Sequence, residues 1–214
     1  MAVCAKTLGK GLGGLRRSCV READHLGKCT DMPFLLHLKK AKPKVAEKIE
    51  RDSFNTRGAS WGKAQDGTQK RRNRQPRWTL AKGDAFFPAH HQTYEKCLGI
   101  AAELTIQAYE MAGAPICPDD VVGYLPRRPR ANSGLCPICK VLLDFSEFDL
   151  AVQSKAAIDT DHLNPTLERR HAPGNVAFVH HLCNTTKGDR SLEEFDLWMA
   201  ETLSRHGYRV TKTA

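Results

Sequence analysis

Residues 156–165 read AAIDTDHLNP, and residues 180–189 read HHLCNTTKGD. In the first stretch an acid, Asp161, is followed at once by an imidazole, His162, at the end of a run that reads as a strand. That pair of types can serve the hydrolysis of a phosphodiester. A neutral imidazole takes a proton from water near pH 7. A hard divalent cation on one or two oxygen ligands, with open positions, neutralises phosphate charge and helps the 3′ oxygen leave. His162 fits the base and Asp161 fits an oxygen ligand. Adjacent strand residues point to opposite faces, so twist or bulging at the strand end must let both serve one site. Asp159, two residues earlier and on the face of Asp161, is a further candidate acid.

A second set of residues has softer chemistry. Cys136-Pro-Ile-Cys139 is a tight C-x2-C knuckle, and His180 and Cys183 repeat the same spacing 41 positions after Cys139. Three thiolates and an imidazole make a closed tetrahedral donor set suited to structural Zn2+. His181 is the rival imidazole. It lies two residues from Cys183, a less usual chelate. The segment between the two pairs is short and loop-rich, so little apolar burial opposes the entropy of ordering it. A metal clip supplies the difference, because binding free energy becomes folding free energy.

Taken in order, C-x2-C, D-H at a strand end, G-N opening the next strand, and C-N-x2-K-G opening a helix resemble the HNH nucleases of the ββα-metal class. The resemblance covers roughly residues 134–190. It implies that Asn184 is the second ligand of a catalytic Mg2+ or Mn2+, where many members carry the last histidine. An asparagine there suits an oxygen-ligated ion. It implies that Asn175 is the middle asparagine, which tethers the loop and helps orient the base. Lys187, one helical turn beyond Asn184, is expected to reach a phosphate. Structural zinc and catalytic ion would then be separate, with DNA as the substrate.

The elements that must position these residues are partly legible. Tyr94, Leu98, Ala101, Thr105, Ala108 and Ala112 recur at helical spacing, with Gly113 and Pro115 as the stop. Strands are expected over 155–163 and 175–180. A helix is expected from Asn184, and a last one from Ser191, as N-cap, to about Arg205. The expected class is α+β: a small ββα-metal core with a zinc site, flanked by helices.

Charge divides the chain. Residues 1–84 hold 20 Lys or Arg against 8 Asp or Glu, a net of +12, whereas residues 85–214 hold 13 against 16, a net of −3. Such asymmetry points to a polyanion partner. We expect a disordered leader over 1–31, a basic arm or linker over 32–84 with Trp61 and Trp78 among its charges, and a nuclease domain over 85–214. No apolar run reaches the roughly 18–20 residues that span a bilayer, and no secretory signal pattern opens the chain, so a cytoplasmic protein is expected. A non-catalytic zinc-dependent nucleic-acid-binding module would account for the basic arm and the zinc ligands. It gives the Asp161–His162 pair no role. A purely structural or protein-interaction zinc domain leaves the +12 unexplained.

Overall fold

The computed structural model describes residues 7–10, 16–18, 32–54, 94–151, 154–167 and 170–211. Its centre is helix α3, Tyr94–Glu110. Cys97, Ile100, Ala101, Leu104, Thr105, Ala108 and Tyr109 are all buried, which is more than one stripe of the helix. A helix apolar around most of its circumference must be covered from more than one side. Here it is packed between a helical pair upstream and a strand pair downstream.

The upstream pair lies within the expected arm or linker over 32–84 and packs into the core. After a 3-10 turn at Pro33–Leu35, α1 spans Leu36–Ala41 and α2 spans Pro43–Ser53, each of the last two broken from the other at Lys42 before Pro43. Pro43 starts α2 because its fixed φ suits a first helical turn. Leu35, Leu38, Val45, Ala46, Ile49 and Phe54 are buried in the same apolar core as α3. Full burial of such a side chain contributes about 1.5–3 kcal/mol each, together on the order of the whole stability of a domain. The apolar positions of 32–54 are therefore core, and the lysines between them are its solvated face. The arm proper, 55–84, lies outside the described residues. Within 1–31, Thr7–Lys10 (β1) and Arg16–Ser18 (β2) pair antiparallel.

Deletion of residues 1–84 is thus expected to expose the underside of α3 and abolish cooperative unfolding. Deletion of 1–31 should leave a cooperative transition. Thermal melts followed by circular dichroism check both; a folded 85–214 fragment would contradict this packing.

Downstream, Asp119–Val122 forms the short helix α4. Strands β3 (Ile158–His162) and β4 (Val176–His180) pair antiparallel, with Ile158 opposite His180 and His162 opposite Val176. Helix α5 (His181–Lys187) follows β4 without a break. Helix α6 (Leu192–Arg205) starts from the Ser191 cap, with Glu194 completing a capping box. The class is α+β, as expected. The edge of β4 is satisfied by a side chain: Gln107 of α3 donates to the Phe178 carbonyl at 2.9 Å and accepts from the Phe178 amide at 2.7 Å. The loop between the strands is held on α3 as well. Gly174 has φ +78° and donates its amide to Glu103 at 2.6 Å. A Cβ on Gly99 would lie 2.9 Å from Pro173 Cγ, so only glycine allows this approach. Among the described residues no helix is long and apolar enough to cross a membrane.

Candidate active site and metal centre

The four soft donors converge. One ligand atom from each of Cys136, Cys139, His180 and Cys183 lies within 4.8 Å of every other, close enough for bonds of about 2.0–2.3 Å to a shared ion. The knuckle turns because Lys140 adopts φ +60°. The Lys140 amide then donates to the Cys136 carbonyl at 2.9 Å, and the Cys136 amide donates to the Val141 carbonyl at 2.8 Å. His180 presents Nδ1, 3.4 Å from Cys139 Sγ and 3.9 Å from Cys183 Sγ. Its other nitrogen lies 3.6 Å from Glu147 Oε2. A carboxylate behind a ligating imidazole orients the ring. Glu147 stands in a 3-10 turn, Phe145–Asp149, capped by Asp144. His181, the rival imidazole, instead faces Asp159 at 2.8 Å. Burial, and then the neighbouring Cys136 and Cys139 thiols, push the Cys183 thiol up to about 12. A bound cation removes that penalty, so the donor set fits a metal.

The second constellation forms where β3 ends. Its side chains alternate between two neighbours. Thr160 and His162 face α2: Thr160 Oγ1 donates to Asp52 Oδ2 at 2.8 Å. His162 Nε2 lies 3.1 Å from His171 Nδ1, and His171 Nε2 lies 2.6 Å from the Ser53 carbonyl. A carbonyl only accepts, so His171 Nε2 carries the proton. In the neutral ring its Nδ1 then accepts from His162 Nε2–H. That assigns the basic nitrogen of His162 as Nδ1.

Asp159 and Asp161 face α5. Asp159 Oδ2 accepts from Asn184 Nδ2 at 3.1 Å, while Asp161 Oδ2 lies 3.1 Å from Lys187 Nζ. Among the described residues no hydrogen bond joins Asn184 to Asp161. Asp161 Oδ2 is buried and faces that ammonium. Burial pushes the Asp161 carboxyl up from its ordinary value, against the opposing pull of Lys187. A carboxylate oxygen is also the donor type that a hard cation takes. Asn184, donating its nitrogen to Asp159, keeps Oδ1 as a ligand atom. These residues fit a divalent ion, though the two proposed ligands are joined to different partners.

Asp161 and His162 nonetheless line one cleft of about 90 Å3, together with Arg51, Asp52, Thr160, His171 and Val176. Asn175 is buried. Its Oδ1 accepts from the Asn164 amide at 2.8 Å, and its Nδ2 donates to the Asn164 and Arg170 carbonyls at 2.9 and 2.7 Å. It closes the loop that carries His171, and His171 in turn meets His162.

Lys187 departs from its expected position. Its side chain has no solvent exposure. Nζ donates to the carbonyls of His162 and Gly188, each at 3.2 Å, and of Arg190 at 2.7 Å. Three carbonyls and a carboxylate hold the ammonium inside the fold, so it pins the end of β3 and does not reach out to a phosphate. Lys187→Met is expected to lower stability by about 3–5 kcal/mol, as for other buried pairs broken on one side. Denaturant unfolding measures it; an unchanged midpoint would contradict this placement.

Reading the sequence missed Arg51, Asp52, Ser53 and His171. A signal for Asp52 was present. Val45, Ala46, Ile49, Asp52 and Ser53 lie on one buried face of α2, and an acid on an apolar stripe is out of place unless it is paired. His171 carries no such mark.

The DraIII family model matches residues 84–183. A crystal structure described as that of a type II restriction endonuclease is 30% identical, with a TM-score of 0.72, over 97% of this chain and 99% of that one. No curated protein matches the chain.

Proposed function

The chain belongs to the type II restriction endonucleases, and from that premise we propose that it cuts DNA by HNH-type hydrolysis, with His162 as general base. The placement of His162 supports this most: Nε2 lies 3.1 Å from His171 Nδ1, and the ring lines the same cleft as Asp161. His162 Nδ1 takes the proton from the attacking water. His171, anchored on the Ser53 carbonyl, and Asn175, which closes the loop, keep the ring in that tautomer. Asp161 and Asn184 would hold one Mg2+ or Mn2+, which supplies Lewis-acid neutralisation of the phosphate charge. Lys187 holds the His162 backbone in place. Cys136, Cys139, His180 and Cys183 hold a structural Zn2+, and Cys183 precedes Asn184 directly, so the clip sets where α5 begins.

Supercoiled plasmid incubated with the full-length protein tests the proposal. Nicked or linear product is expected with Mg2+ or Mn2+, and none with EDTA. Plasmid that is retarded on a gel yet intact with every metal would make the protein a zinc-dependent binding module.

A further inference from the structure

We infer that Arg51, in the last turn of α2, contacts the scissile phosphate and supplies the protein-borne positive charge that buried Lys187 does not. This rests on the nuclease reading above. The cleft beside His162 is lined by two carboxylates, Asp52 and Asp161, and a phosphodiester entering it needs a cation to face. Besides the two imidazoles, Arg51 is the basic side chain among the described residues lining it.

Its placement is built. Arg51 Nε donates to Asp52 Oδ1 at 2.9 Å, and Nη2 lies 3.5 Å from Asp52 Oδ2. Asp52 is buried, and its Oδ2 also takes Lys48 Nζ at 2.9 Å and the Thr160 hydroxyl at 2.8 Å. Asp52 therefore ties α2 to β3 two residues before the base and holds the guanidinium in one plane at the cleft. The Arg51 side chain stays 38% exposed while its anchor is 6% exposed, an arrangement that suits a residue meeting a ligand from solvent. A planar guanidinium matches the two non-bridging oxygens of a phosphate better than an ammonium does.

The test uses full-length protein and single-turnover cleavage at saturating DNA, with DNA affinity, metal content and melting temperature measured in parallel. Arg51→Ala is expected to slow cleavage about 10²-fold, the scale of losing one preorganised donor to developing charge, with a much smaller change in affinity. Arg51→Lys should recover part of the rate. Lys48→Ala removes the other cation from the same carboxylate and should keep most of the rate. Arg51→Ala cutting at the wild-type rate would overturn the inference, as would an equal loss in Lys48→Ala, which would place the effect in Asp52. If Arg51→Ala fails to fold, folded Arg51→Lys carries the test: slower cutting at unchanged affinity supports the contact, and the wild-type rate refutes it. Wild-type protein that leaves DNA uncut with every metal defeats the nuclease reading and this inference with it. Cutting that is lost in His162→Ala but intact in Arg51→Ala defeats the inference alone.

Discussion

His162→Ala is expected to lower the single-turnover cleavage rate by about 10²–10⁴, the usual worth of a positioned general base, while metal content, folding and DNA affinity stay near wild type. The imidazole is not one of the four clustered donors, and it meets His171 at the edge of a cleft. Asp161→Ala and Asn184→Ala should behave differently. Each removes an oxygen ligand, so raising Mg2+ or Mn2+ should restore part of their activity, whereas added ion cannot replace a missing base. Rescue of His162→Ala by metal would reassign it as a ligand. Its loss of zinc and fold would mean that the two constellations are one.

Cys139→Ser is expected to lose the bound zinc and with it the cooperative unfolding transition. The wild-type chain should carry about one zinc, held by three thiolates and one imidazole. Structural zinc contributes roughly 10–16 kcal/mol of apparent binding free energy in small domains, comparable to the whole stability of a typical fold. What the clip joins explains the size of the effect. Cys136 and Cys139 sit on the knuckle packed at the end of α3, through the Ser133 and Gly134 amides on the Glu110 carbonyl. His180 and Cys183 sit at the β4–α5 junction. Without the ion, the turn that aims Asn184 loses its anchor. Metal analysis with calorimetry decides it: a cooperative melt in a zinc-free variant would refute the structural role.

Local signals were legible in the sequence. The Cys136–Cys139 and His180–Cys183 pairs share a spacing that brings donors to one point. Ser191 with Glu194 three residues on marks a helix start by short-range chemistry, and both features stand where they were expected. Asp161 and His162 were read as a pair at a strand end, and there they are.

The unread part depends on contacts far apart in the chain. Thr160 meets Asp52 across 108 residues, and His171 meets Ser53 across 118. No periodicity in either segment reveals such a meeting. The lysines of 39–48 drew 32–54 into a basic arm, although Leu38, Val45 and Ile49 between them face the core. Lys187 was expected to reach a phosphate; the carbonyls of His162, Gly188 and Arg190 instead surround its ammonium.

Cleavage is expected to use an ion at the β3–α5 end, apart from a zinc among the cysteines. Cleavage rate measured against added Mg2+, with zinc content followed in the same samples, tests it most directly. The rate should rise from near zero to a plateau while zinc stays constant at about one per chain. A zinc-loaded protein that cuts at full rate with no added ion, or that binds DNA and cuts at no Mg2+ or Mn2+ concentration, would contradict it.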